Sequence, residues 1–232
     1  MKKYATNNVY WFIPERFEKK VSLKKRFLRD KKFLPSYTAN LRNKNFSIVT
    51  DCCIGGQIYH DYGIQFLSPF INISINKDDF LELLSNLKLY LSSELSELKV
   101  ENSYYPIGLL GNKIKIHFVH YQTFSEAKEA WIRRLKRFNY NNIVVIMTDG
   151  LANSIDKKER LNDQQVSKFL SLPYKKILIT NYEKRALLNE KEIIYLKKYK
   201  HADMLYPFGI NLVGGGETIL EEHFNVVSWL NE

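Results

Sequence analysis

The chain has 232 residues, 35 Lys+Arg against 25 Asp+Glu, 45% apolar residues, 14% aromatic residues and two cysteines. That length buries a sizeable core in one domain or a domain with a small lobe, and the apolar content excludes wholesale disorder. No stretch approaches the roughly 18 uncharged apolar residues of a membrane span, and adjacent Cys52 and Cys53 exclude a disulfide scaffold or a multi-thiolate zinc site.

The first 44 residues carry 13 Lys+Arg and 3 Asp+Glu, whereas the other 188 carry 22 of each sign. All of the net charge therefore belongs to the N-terminal segment. It starts like a signal peptide but has no sustained apolar run and no small-residue cleavage site, so a cytoplasmic protein is expected. Within FEKKVSLKKRFLRDKKFLP, Phe17, Val21 and Leu28, with Leu23 and Phe27 beside them, make an imperfect helical stripe that Pro35 is expected to end. With Tyr10, Trp11 and Phe12 nearby, such a helix suits an anionic membrane surface, peripheral at the inner face of the cell membrane. A helix packed on the body with its lysines in water is the plainer alternative. No nucleic-acid motif is present, so no nucleic-acid partner is expected. Residues 1–44 are read as a separate segment and 45–232 as the folded domain.

From Asn45 onward, strand and helix patterns alternate. FSIVT (46–50) reads as a buried strand, DCCIGG (51–56) as a turn leading into a short helix, and PFINISI (69–75) as a further strand. Asn76 with Asp79 resembles a capping box at the head of an amphipathic helix. YYPIGLLGN reads as a loop or hairpin and IKIHFVH (114–120) as a strand; Thr123 and Glu126 open a helix running to about Phe138. NIVVIMTDG (142–150) is the expected central strand, followed by a helix near 162–171 and the strand KKILIT (175–180). Asn189 with Glu192 predicts a helix through Tyr199. DMLYPF (203–208) predicts a last strand, and HFNVVSWL a C-terminal helix. The alternation predicts a three-layer α/β/α fold with a largely parallel or mixed sheet.

Ligands of such sheets bind beyond the carboxyl ends of the strands, which selects three places. In the first, Gly55 and Gly56 permit a tight turn and close ligand approach. Cys53 at a helix start has its thiolate favoured, and His60 lies two turns on, on the same face. Buried thiols and turn glycines are the structural alternative. In the second, His120 ends a strand where a general base would be useful, next to Tyr121; a hydrogen-bonded core histidine is the alternative. Arg133 and Arg137 share a face of the next helix with Arg134 beside them, a phosphate grip or simply a solvated basic face. In the third, Asp149 is placed for a ribose, a sugar hydroxyl or a metal, or serves equally as a turn former. No DxD pair, P-loop or HExxH motif occurs, so no metal is expected. Gly214–Gly216 reads as a flexible loop.

The blocks NFSIVTDCCIGGQIYHDYGIQFLSPF, YPIGLL, IHFVHYQTFSEAKEAWIRRLKRFNYNNIVVI, LPYKKILIT and FNVVSWLN together resemble a bacterial exopolysaccharide-biosynthesis family catalogued as a domain of unknown function. Cys53, Gly55 and Gly56 match its Asn-Cys-x-Gly-Gly element, with Cys52 where Asn is common. His120-Tyr121 and Arg133-Arg134 match its His-Tyr and Arg-Arg elements. Of its Asp-Arg-Asp-Gly-like turn only Asp149-Gly150 survives. The resemblance implies an α/β/α fold and a place in capsule, exopolysaccharide or lipopolysaccharide assembly. The expected activity is transfer to a glycan or lipid-linked glycan, led by an O-acyltransferase using acetyl-coenzyme A, with His120 as base, Cys53 and the glycine turn at the acyl group and the arginines on donor phosphate. A nucleotide-sugar glycosyltransferase and a non-catalytic glycan-binding subunit at the membrane are the alternatives.

Overall fold

The computed structural model describes residues 23–149, 160–188, 190–197, 212–213 and 216–232. Its larger sheet has four parallel strands, β1 (Ser47–Thr50), β5 (Ile143–Thr148), β6 (Lys175–Thr180) and β7 (Ile193–Tyr195), in that spatial order. The smaller sheet is an antiparallel meander of β2 (Leu95–Glu97), β3 (Ile107–Leu110) and β4 (Ile114–His117). The helices are α1 (Leu34–Asn40), α2 (Ile54–Asp61), α3 (Lys77–Ser85), α4 (Leu87–Leu91), α5 (Phe124–Leu135), α6 (Asp163–Ser171), α7 (Glu183–Ala186), α8 (Ile219–His223) and α9 (Val226–Asn231).

Successive residues of a strand face opposite sides, and both sides of this sheet are covered. Val49, Val145, Met147 and Leu178 join one apolar cluster with Phe80, Leu84, Trp131 and Phe169 from the helices above. Ile48, Val144, Ile146, Ile177 and Ile179 join another with Tyr59, Leu220, Trp229 and Leu230 below. Burial on both faces explains why these strands read as unbroken apolar runs. The expected α/β/α layering is present.

Three local expectations are corrected. Residues 69–75 form no strand beyond one bridge, Ser74 to His117, because Asn72 takes a left-handed φ of 60° that breaks extended geometry. The apolar run belongs instead to a buried crossing segment. The strand at 114–120 stops at His117 and lies in the small sheet, outside the central one. The helix expected from Asn189 is replaced at Ile193–Tyr195 by β7, whose backbone completes the open edge of β6; Asn189 and Tyr199 themselves lie outside the described residues, as do Gly150, Gly214, Gly215 and the DMLYPF segment.

The basic segment is also revised where it is described. Residues 23–28 are helical, and a π-helical turn at Arg29–Phe33 carries the chain into α1. Pro35 therefore falls in the first turn of α1, where no N–H is required, and does not end the helix. Arg29, Phe33 and Leu41 are buried against the body, so the expected division at residue 44 runs through packed structure. Arg29 donates to both carboxylate oxygens of Glu221 at 2.8 and 3.1 Å and to Asp61 at 2.5 Å. Burial works against this charge, but the bonds and negative charge of Glu221 and Asp61 outweigh it and hold the guanidinium protonated above its ordinary range. Gly216, at φ 100°, accepts from Arg29 through its carbonyl; a Cβ there would sit 2.7 Å from the Arg29 backbone nitrogen. Among the described residues no helix is long and apolar enough to cross a membrane.

Candidate functional site

Two aspartates join the carboxyl ends of three neighbouring strands. Asp51, just past β1, accepts from the backbone N–H and the hydroxyl of Thr148, at the end of β5, at 3.0 and 2.7 Å. Asp149, just past β5, accepts from the Thr180 hydroxyl at the end of β6 at 2.8 Å. Its other oxygen accepts from the N–H of Leu161 at 2.9 Å. Both oxygens of Asp149 are thus engaged within the protein, with Arg185 Nε a further 3.7 Å away; its local role is that of a clasp.

Asp51 is different. Its Oδ1 is buried and has no hydrogen-bond partner. Burial raises its pKa to about 7, against the opposing pull of the Thr148 bonds. A carboxyl poised there exists in both protonation states at neutral pH, which is the condition for moving protons.

The DCCIGG turn packs tightly against this strand end. Cys52 is 2% exposed, and burial followed by the Asp51 charge keeps its thiol well above the ordinary range, so it stays protonated. Cys53 is half-buried, stands at the N-cap of α2 and donates to the Ile73 carbonyl at 3.6 Å. Gly55 and Gly56 lie inside α2, where they answer a packing requirement. A Cβ on Gly55 would meet the Ile48 and Thr50 methyls at 3.0 Å, and one on Gly56 would meet Ile71 at 3.1 Å. They bring helix to strand instead of opening the backbone to a ligand. His60, on the same helix, is exposed and lies 3.4 Å from Asp61.

Residues 73–75 separate this turn from the histidine strand. Ser74 exchanges both backbone hydrogen bonds with His117, whereas Ile75 N–H donates to the Asp51 carbonyl and Ile73 receives the Cys53 thiol. One edge of the segment therefore faces β4 and the other faces Asp51 and Cys53. His120 follows β4 in a turn and is exposed. Tyr121 is buried and donates to the Ile71 carbonyl at 3.4 Å. Arg134 is buried, donates to the Tyr121 hydroxyl and lies over the Phe66 ring, so its charge is spent inside the protein. Arg133 is exposed, and Arg137 is half-buried. Cys53 and Asp51 thus share one edge of segment 73–75, while Arg134 is tied to Tyr121 and Phe66.

A second set of basic residues sits at the carboxyl edge. Arg160 bonds Asn181, just past β6, at 2.7 Å and stacks over the Tyr182 ring at 4.9 Å; Arg185 approaches the same ring at 5.5 Å. Lys77, the first residue of α3, donates to the Arg160 carbonyl at 3.1 Å. Gln165 of α6 reaches Asp78 of α3, so the starts of these two helices meet here. Sequence reasoning does not single out Asp51, Arg160 or Lys77. Asp51 carries the same strand-end signal as Asp149, whereas no local pattern marks Arg160 or Lys77, which only tertiary packing brings together.

A family profile described as "Domain of unknown function (DUF1919)" matches residues 24–231. The chain belongs to the DUF1919 family. The match begins at Lys24, inside the basic segment, in keeping with the packing of Arg29 and Phe33 on the body. An uncharacterized protein of Haemophilus influenzae is 29% identical over 192 residues, covering 82% of this chain and 86% of its own length.

Proposed function

We propose that this DUF1919 protein is a transferase in bacterial surface-polysaccharide biosynthesis, modifying a sugar hydroxyl of a glycan or lipid-linked glycan by acyl transfer from acetyl-coenzyme A. The observation that carries the reading is the Asp51 carboxyl: fixed through one oxygen by Thr148, unbonded at the other, and poised near neutrality beside the Cys53 turn. In the proposed step, ionised Asp51 takes the proton of the acceptor hydroxyl. The freed oxygen bonds to the thioester carbonyl carbon, the carbon–sulfur bond breaks, and the departing thiolate receives a proton from Asp51. Cys53 lines the acyl position. This assigns to Asp51 the base role that sequence reasoning gives to His120, because Asp51 shares an edge of segment 73–75 with Cys53.

The test is release of free thiol from acetyl-coenzyme A in the presence of a panel of oligosaccharide acceptors. Asp51→Asn should lower turnover about 10²- to 10⁴-fold with the donor still bound, whereas His120→Ala should leave most turnover in place. Absence of donor binding and thiol release, with thermal stabilisation by uridine or cytidine nucleotides instead, would replace acyl by glycosyl transfer.

A cytoplasmic protein peripheral to the membrane is part of the same proposal. The supporting observation is that Leu23 and Phe27, one helical turn apart, are 61% and 60% exposed on a helix bearing exposed Lys24, Arg26, Lys31 and Lys32. Apolar side chains ringed by lysine and arginine suit an anionic lipid surface.

A further inference from the structure

We infer that Arg160 and Lys77, at the meeting of α3 and α6 beyond the carboxyl ends of β5 and β6, bind the phosphate of a phosphorylated ligand. That this ligand is the group donor rests on the transferase reading; the phosphate site itself does not.

The guanidinium is half committed. Its Nη2 bonds Asn181, its face lies on Tyr182, and Nη1 is buried with no partner. A buried donor left open in a charged fork is costly unless something fills it. Among the described residues, no carboxylate lies within ion-pair distance of Arg160. Asp149 and Asp163 face Arg185, and Asp78, beside Lys77, accepts from Gln165. Lys77 adds a second cation, and its own contact is to a neutral carbonyl. It also opens a nine-residue helix whose N-cap, Asn76, makes no side-chain capping bond, so the positive end of α3 adds to the same field. A fork, a point charge and a helix start together match a phosphate better than a carboxylate, because a phosphate offers three acceptor oxygens.

At the end of α5 the arginines are arranged differently: Arg133 is exposed, Arg134 donates to Tyr121 and lies over Phe66, and Arg137, past the helix end, keeps one buried nitrogen, Nε, without a partner.

The experiment is calorimetric titration of the full-length protein with inorganic pyrophosphate at low salt. Adenosine 3′,5′-bisphosphate and uridine diphosphate are run in parallel to tell a coenzyme A-type from a nucleotide-sugar-type source. Binding is expected to weaken about tenfold or more in Arg160→Gln and severalfold in Lys77→Gln, and to be unchanged in Arg133→Gln. Lys77→Gln alters a half-exposed side chain and keeps the test open if Arg160→Gln fails to fold. Absence of pyrophosphate binding up to about 5 mM overturns the site, as does binding that survives both substitutions but falls in Arg133→Gln. The titration and the thiol-release assay fail separately: pyrophosphate binding without acyl transfer supports this site and counts only against the transferase reading.

Discussion

Replacing Asp51 by Asn should change how stability depends on pH, in a direction the geometry fixes. In the unfolded chain an aspartate titrates near 3.9, whereas in the fold burial lifts Asp51 to about 7. Between these values the folded protein holds a proton that the unfolded chain has released. Stability contributed by the neutral carboxyl is therefore present in full below about pH 4 and is lost as pH rises towards 7. At about 1.4 kcal/mol for each pH unit between the two values, the loss approaches about 4 kcal/mol above pH 7, of which about 2 kcal/mol falls between pH 5 and 7. An asparagine side chain in this place cannot ionise. Its carbonyl oxygen can still accept both Thr148 bonds, but its amide group would occupy the place of the unbonded Oδ1 at a cost of about 1–3 kcal/mol. Urea unfolding of both proteins at pH 5, 6, 7 and 8 measures the difference. The variant should gain on the wild type by about 2 kcal/mol from pH 5 to pH 7. A gap that stays constant, or moves the other way, would refute the assignment. Combined with the activity loss proposed above, the variant would be a stabilised but inactive protein, as expected where a site is kept at a cost to the fold.

Three further outcomes follow from packing. Gly55→Ala should destabilise by about 1–2 kcal/mol, since the strain of forcing a methyl to 3.0 Å from Ile48 and Thr50 exceeds the helix-propensity gain of roughly 1 kcal/mol; an unchanged urea midpoint would show that α2 can shift freely. Arg29→Met leaves Asp61 and Glu221 buried without their cation and should cost about 3–5 kcal/mol, with Glu221→Gln costing less; equal, negligible losses would mean that the N-terminal helix does not contribute to the folded state. Co-sedimentation with anionic vesicles at low salt should fall when Leu23 and Phe27 are both replaced by Ser and should vanish at high salt. Full-length protein that ignores such vesicles removes the membrane contact from the proposal.

What can be read from the chain depends on how local the cause is. β1, β5 and β6 are visible because each is buried on both faces, and α5 and α6 because Thr123 and Asn162 supply their own caps. The edge strand β7 is not legible, since three half-buried residues after Asn189 and Glu192 satisfy a helix start as well as a strand; only β6 alongside decides. The apolar stretch at 69–75 misleads in the opposite sense, because its burial comes from crossing between two sheets and Asn72 breaks its extension. For the site, the pattern locates the turn at Cys53 as a strand end, but it credits the glycines with exposing backbone when Ile48, Thr50 and Ile71 leave them no room. Arg160 and Lys77 have no signature at all: 83 positions apart, they meet only because α3 and α6 dock side by side.

The Arg29 anchor has a consequence for the order in which the chain is made. Its carboxylate partner Glu221 and its carbonyl partner Gly216 lie 192 and 187 positions further along the chain, and Asn231, which receives the N–H groups of Arg42 and Asn43, is 189 and 188 positions from them. Until residues 216–221 have been made, Asp61 is the one of these three partners that Arg29 can reach, and the surface that receives the helix at 23–28 is incomplete. Full docking of the helix at 23–28 must therefore wait for residues 216–221, and a ribosome-bound fragment ending before residue 216 should leave that helix accessible to protease.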